Sequence, residues 1–295
     1  MHHYYVPRLV LSLNQWYTAL VPTAHINDID LYYELREEKD SRRTVAFFNG
    51  VMASSSSWEY YADFFNSAGY TVFLHDFRGQ LLSEKPTGVY TFTQHAADAV
   101  ALFEHLGIKR PHIIGTSYGG ETAMRLAVDF PDVPLTISII DSVSETDEVL
   151  DYFVDLWIQL AETGDPARFF WGMLPTVYSS KFIRENRAAL EKRALKLKEV
   201  PPDYFSGQIS LYRTFKEDVR MTDELGSIVC PALVACGELD ILKPLPFSQK
   251  IADAVPDCDF VIIPDAGHAA FIEQPRLLAN LLLGFIRGNE LQSPA

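Results

Sequence analysis

Short apolar runs and amphipathic stretches alternate along the first half of the chain. "TVAFFNG" (Thr44 to Gly50), "YTVFLHDF" (Tyr70 to Phe77), "PHIIGTS" and "LTISIID" (Leu135 to Asp141) are compact hydrophobic runs that predict buried strands. Between the first two, Trp58, Tyr61, Phe64 and Phe65 recur at helical spacing, and Gly69 stands where such a helix stops. "AADAVALFEHLG" predicts a second helix closing at Gly107, with Thr91 and Gln94 as a capping box ahead of it. "YGGETAMRLAVDFP" predicts a third. Upstream, "HINDIDLYYEL" (His25 to Leu35) sets Asn-Asp between two β-rich runs and predicts a hairpin. This βαβαβ order is the pattern of a mostly parallel sheet covered on both faces.

The rhythm breaks at about Ser144. As far as Leu225 the periodicity is helical: "DYFVDLWIQLAE", "ARFFWGMLPTVY", "FIRENRAALEKRALKLKEV" and "YFSGQISLYRTFKE". Strand–helix alternation then resumes with "PALVACGELD", "FSQKIADAV", "DFVIIPDAGH" and "QPRLLANLLLGFIRG". The expected organisation is a lead at 1–22, an α/β core at 23–143 and 226–295, and a helical insertion at 144–225, after the sixth predicted strand. No internal repeat or low-complexity tract is visible.

Composition narrows the class. A chain of 295 residues with 48% hydrophobic and 22% charged residues fits a soluble globular protein with a large core. A net charge of −14 argues against nucleic acid as a partner, because phosphate binding needs clustered Lys and Arg. Cys230, Cys236 and Cys258 form no C-x-x-C pair, so neither a zinc site nor a disulfide framework is expected. Reduced thiols in a cytoplasmic protein, monomeric or homodimeric, are the simplest expectation. The N-terminal stretch lacks a basic region followed by a sustained apolar one, so a signal peptide is not expected. No uncharged apolar run reaches 18 residues, so a membrane span is not expected either.

One motif carries chemistry. Gly115-Thr116-Ser117-Tyr118-Gly119 is G-x-S-x-G, set between a predicted strand and a predicted helix. That is the context of a nucleophile elbow, where a tight turn needs small residues two before and two after the serine. A tight structural turn is the alternative. A serine nucleophile needs a base. Of eight histidines, His2 and His3 lie in the lead, His25 in the hairpin, and His95 and His105 within a helix. His112 begins the serine's own strand, at the wrong end of the sheet, and His75 precedes a structural-looking "DFRG" turn. His268 follows the last predicted strand, at the sheet edge where parallel strands gather their C-terminal ends, and is the candidate base. The base needs a carboxylate to fix its tautomer. Asp240, in the loop after "VACGELD", completes the chain order Ser117, Asp240, His268 expected for such a fold. Asp141, at the end of the strand before the insertion, is the competitor. The oxyanion needs two backbone donors, for which the N–H groups of Tyr118 and Val51 are the candidates.

With these residues in place the chain resembles the α/β-hydrolases, specifically the cap-bearing esterases and lactonases. The resemblance lies in "FFNG", "HDFRGQLLSEKP", "GTSYGG", "CGELD" and "DAGHAAFIEQP", in that order, and spans most of the chain outside the insertion. It implies an eight-stranded, mostly parallel sheet with a helical cap over the site, and ester-type hydrolysis with no metal or organic cofactor. Members usually carry His where this chain has Asn49, and Gly where it has Leu81. Neither departure removes a catalytic group.

The implied reaction is two-step acyl transfer on a small-molecule ester or lactone. Carbon–carbon bond hydrolysis and cofactor-free perhydrolysis use the same three residues, so the triad does not separate them. A small-molecule receptor with residual turnover is the alternative from another class. Dehalogenases and epoxide hydrolases are disfavoured, because they carry Asp where Ser117 stands. Tyr152, Phe153, Trp157, Phe169, Phe170, Trp171, Met173 and Tyr178 make the insertion aromatic. Most should pack its own helices; Trp157, Phe170, Trp171 and Met173 are the candidates for a pocket that suits apolar acyl or alcohol groups. Lys181 to Lys198 holds seven Lys/Arg against two Glu, which reads as a solvated helix face, with a polyanion site as the other reading.

Overall fold

A computed structural model of the protein describes residues 22–39, 41 and 43–292. All of the expected lead at 1–22 except Pro22 lies outside the described residues. The chain opens with a hairpin of β1 (Thr23–Ile26) and β2 (Ile29–Arg36), paired antiparallel. Its two turn residues, Asn27 and Asp28, sit at φ 48° and 64°, left-handed values that short polar side chains tolerate and that match the twist of a two-residue hairpin.

Next come β3 (Thr44–Phe48), α1 (Glu59–Ser67), β4 (Thr71–His75), α2 (Phe92–Leu106), β5 (His112–Thr116), α3 (Tyr118–Asp129) and β6 (Thr136–Ile140). Thr91 and Gln94 form the expected capping box on α2, and Gly107 ends it at φ 69°. Five helices follow without a strand: α4 (Glu148–Glu162), α5 (Pro166–Val177), α6 (Ser180–Glu185), α7 (Arg187–Lys196) and α8 (Tyr204–Asp218). The run expected as one helix after Phe182 is therefore broken. Asn186 sits between α6 and α7 at φ −115°, ψ 19°, and its Nδ2 donates to the Phe182 carbonyl. An asparagine that satisfies the backbone with its side chain competes with helix continuation. The core then closes with β7 (Ala232–Gly237), α9 (Leu245–Ala254), β8 (Cys258–Ile263), α10 (Ala270–Glu273) and α11 (Pro275–Gln292).

The sheet has eight strands in the order β1-β2-β4-β3-β5-β6-β7-β8. From β4 to β8 every pairing is parallel, and β2 runs antiparallel to β4. β5, β6 and β7 are buried along their whole length, as a parallel sheet with both faces covered requires. Alternate residues feed the two layers. Ala46, Phe48, Phe73, Ile113, Ile139 and Val234 enter the core that includes α2 and α3. Val45, Phe47, Leu74, Ile114, Ile140 and Ala235 enter the core that includes α1 and α11.

The strand order reverses at β3, which lies between β4 and β5. In open α/β sheets ligands bind at such a switch point, beyond the carboxyl ends of the strands. Phe48 pairs with Gly115 in the β3–β5 register, so the loop after β3 emerges beside the turn that carries Ser117.

Candidate active site

Ser117 stands between β5 and α3 at φ 51°, ψ −121°, a backbone state that non-glycine residues avoid. The surroundings hold it there. Its N–H donates to the Ile140 carbonyl at 2.7 Å, and its carbonyl accepts from Ser142 Oγ at 3.0 Å. The neighbouring glycines are needed for close approach. A Cβ on Gly115 would sit 2.3 Å from the Gly119 carbonyl oxygen, and one on Gly119 would sit 2.1 Å from that of Phe48.

The turn presents Ser117 Oγ to His268 Nε2 at 3.0 Å, and His268 Nδ1 meets Asp240 Oδ2 at 2.8 Å. All three residues are buried. The structure thus brings together the serine, histidine and acid singled out from the sequence, although 151 residues separate Ser117 from His268. Asp240 Oδ1 accepts the N–H groups of Leu242 and Lys243, both at 2.9 Å, which leaves Oδ2 for the imidazole. Asp141 does not reach His268 in this way. It accepts from the N–H groups of Gly237 (2.8 Å) and Ala270 (3.1 Å), and so ties the end of β7 to the segment after His268. Burial, reinforced by the charge of Asp240, pushes its carboxyl well above the usual carboxylate range. Ligand atoms of Asp141, Cys236 and Asp240 come within 4.8 Å of one another, but the carboxylates are already engaged by these N–H groups and by His268.

Tyr118 is the first residue of α3, so its N–H has no intrahelical acceptor. Its phenol is anchored elsewhere, at 2.8 Å from His95 Nε2 on α2. Val51 lies across the site in the loop after β3, and that loop is held by a buried polar network. Asn49 Nδ2 donates to the His75 carbonyl (2.8 Å), Asp76 Oδ1 (3.1 Å) and Gln80 Oε1 (3.0 Å), while its Oδ1 accepts from Trp58 Nε1 (2.9 Å). Gln80 Nε2 in turn donates to the Gly50 carbonyl at 2.9 Å. Asn49 is thus fully used as a framework residue, and Leu81 packs half-buried against the core.

A cavity of about 70 Å³ lies above Ser117. Gly50 to Ala53, Thr116, His268 and Phe271 line its core side. The helices between β6 and β7 supply Trp157, Phe170, Met173, Leu174, Val177, Tyr178 and Arg193.

A family model described as the alpha/beta hydrolase family matches residues 45–281. The chain is an α/β hydrolase. RutD of Caulobacter sp. (strain K31), provisionally named a carbamate hydrolase, is 27% identical over 262 residues, covering 88% of this chain and 96% of that one. MGS-M2, an α/β hydrolase from a Medee basin deep-sea metagenome library, superposes with a TM-score of 0.85 at 27% identity, covering 90% of this chain and 97% of its own. Est816, described as an N-acyl homoserine lactone degrading enzyme, superposes with a TM-score of 0.75 at 27% identity, covering 90% and 100%.

Three features of the hydrolase differ from what the sequence suggests. Trp171 does not line the cavity; it is 42% exposed. In α5, Phe170, Met173, Leu174 and Val177 follow the i, i+3, i+4, i+7 pattern of one inward face, and Trp171 is turned about 100° away from Phe170. The second feature is Lys243. Its Nζ donates to Ser117 Oγ at 3.2 Å and to Glu121 Oε1 at 2.8 Å. Both side chains are buried, at 5% and 0% exposure. Burial raises the Glu121 carboxyl, the Lys243 ammonium pulls it back down, and Val143 N–H also donates to it. With one lone pair of Oγ facing Lys243, the hydroxyl proton is free to point at His268. The only trace of this pair in the sequence is a single charge inside each of two apolar stretches, "YGGETAM" and "ILKPLPF". The third is Arg193, which belongs to the basic run yet turns into the cavity.

Proposed function

We propose that the protein is a serine hydrolase of small carboxylic esters, able also to open lactones, working through an acyl-enzyme. The observation that carries this reading is the continuous contact from Ser117 Oγ to His268 Nε2 (3.0 Å) and from His268 Nδ1 to Asp240 Oδ2 (2.8 Å) at the floor of an apolar cavity. In this mechanism Ser117 Oγ attacks the ester carbonyl as His268 Nε2 takes its proton, and Asp240 stabilises the imidazolium. The Tyr118 and Val51 N–H groups receive the oxyanion. His268 then protonates the departing alcohol and activates the water that releases the acid. The small cavity favours short acyl or alcohol groups. Lactone opening is supported by the likeness to Est816. The helices at 144–225 act as a cap that sets substrate choice, and three free cysteines fit a reducing, cytoplasmic setting.

The test is hydrolysis of p-nitrophenyl butyrate by wild type and Ser117→Ala. Removing a triad serine typically lowers turnover by about 10⁴-fold or more. Retention of wild-type turnover in the alanine variant overturns the mechanism. Tight binding with negligible turnover in wild type supports the receptor reading instead.

A further inference from the structure

We propose that Arg193 is a substrate-recognition residue that binds a carboxylate carried by the substrate away from the scissile bond. The preferred substrates are then short carboxylate-bearing esters or lactones rather than wholly apolar ones. This rests on the ester-hydrolase reading of the same site.

The argument begins with charge. The chain holds 39 Asp and Glu residues, yet none of them lines the cavity. Its wall instead carries a guanidinium. Around Arg193 the helix-borne lining is apolar or aromatic: Trp157, Phe170, Met173, Leu174, Val177 and Tyr178. Arg193 is half-buried, so its guanidinium keeps only part of its hydration on this wall, and an anion bound beside it would complete its pairing.

No carboxylate among the described residues does so. Two other cations of the same basic run have acidic partners: Lys181 with Asp265 at 3.1 Å and Arg187 with Glu191 at 3.2 Å. Arg193 has no carboxylate within ion-pair distance among the described residues. Its Nη1 donates to a neutral oxygen, the Tyr178 hydroxyl, at 2.8 Å. The Tyr178 ring is itself stacked on Phe182 at 4.9 Å between centroids and 16° between planes. The guanidinium is therefore held in place by one N–H, while the other four donors of its planar fork remain for a bidentate ligand.

A cation without a carboxylate partner in an otherwise apolar wall points to an anionic ligand. The cavity of about 70 Å³ favours a short one.

The experiment uses two matched pairs. Monoethyl succinate is compared with ethyl 4-methylpentanoate, which replaces the carboxylate by an isopropyl group. 3-Acetoxypropanoate, with its carboxylate on the alcohol side, is compared with 3-methylbutyl acetate. Wild type should favour the anionic member of at least one pair by about tenfold or more in kcat/KM, the scale of a charge-assisted hydrogen bond. Arg193→Met should reduce that ratio by about tenfold or more, chiefly through KM, with Arg193→Lys between the two. Preference for the neutral member of both pairs, or an unchanged ratio in Arg193→Met, overturns the proposal. A binding arm separates this outcome from failure of the ester reading. In Ser117→Ala, monoethyl succinate should raise Tm, and in Ser117→Ala/Arg193→Met it should not. If wild type turns over none of the four esters but that Arg193-dependent shift is present, the catalytic reading fails and carboxylate recognition stands; without the shift, recognition fails as well.

Discussion

Ser117 keeps its left-handed backbone because three neighbouring glycines leave room and two hydrogen bonds grip its N–H and C=O. A non-glycine residue in this region costs on the order of 1–3 kcal/mol, which the surrounding structure must offset. Lys243 and Glu121 add a second local constraint, an ion pair whose cation also donates to Ser117 Oγ. Lys243→Met leaves Glu121 buried and unpaired, and should destabilise the fold by about 3–5 kcal/mol. Adding Glu121→Leu should recover most of that loss, because two apolar groups then replace two charges. The double variant should still turn over short esters about tenfold more slowly than wild type, having lost one charge-assisted donor to Oγ. Denaturant midpoints and kcat for a butyrate ester check both halves; wild-type kcat in the double variant would confine the pair to a structural role. The elbow was legible in the sequence because its cause is local: small residues are required at fixed offsets from the serine. The Lys243–Glu121 contact was not, because partners 122 positions apart in the chain carry no signal of who meets whom.

At the scale of elements, the His268 loop is fastened from three sides. Asp240 holds the imidazole, Asp141 holds the Ala270 N–H, and Glu273 in α10 holds Gly267 N–H at 3.2 Å. Glu273 also accepts from Ser179, through its N–H at 2.9 Å and its hydroxyl at 2.5 Å. Ser179 caps α6, so this single carboxylate joins the His268 loop to the helices above the cavity. Removing it by Glu273→Ala strands buried donors and should lower stability by about 2–4 kcal/mol, with a fall in kcat as His268 loses its mooring. Thermal unfolding and steady-state kinetics provide the check; unchanged Tm and kcat would dismiss the clamp. The strands, the Thr91–Gln94 capping box of α2 and the run of helices between β6 and β7 were readable from the local pattern. The break at Asn186 and the outward turn of Trp171 were not. The first depends on one side chain bonding its own backbone, and the second on which face of α5 meets the core.

For the whole molecule, the response to acid follows from imidazoles buried in the folded state. His75 lies among Phe48, Phe73 and Phe77, and neither ring nitrogen has a hydrogen-bond partner among the described residues. Burial alone pulls it from 6.5 down to about 3, and burial chiefly pulls His112 down to about 4. Between the unfolded and folded values the unfolded chain binds the extra proton, so stability is full above about 6.5 and falls as pH drops towards the lower value. The raised carboxyls of Asp76, Glu121 and Asp141 act in the opposite sense, favouring the fold as pH falls through the range between their unfolded and folded values. Comparing wild type with His75→Phe isolates the imidazole from both. From pH 7 to pH 5 wild type should lose about 2 kcal/mol more than the variant, measured as unfolding free energy in denaturant. Equal losses would mean that His75 is hydrated in the folded protein. Among the described residues no helix is long and apolar enough to cross a membrane.

Taken alone, the sequence determined the class of fold, the strand-and-helix order, the elbow at Ser117 and the identity of its histidine and acid. All of these follow from local periodicity, from steric demands within a few residues, or from the rule that parallel strands end on one edge. Only the tertiary structure decided what closes over that edge. It set Asp141 as a brace rather than the partner of His268, buried a lysine against Ser117, and turned Arg193 inward and Trp171 outward. Those outcomes depend on which faces meet after the helices dock, and side chains far apart in the chain acquire their partners only then.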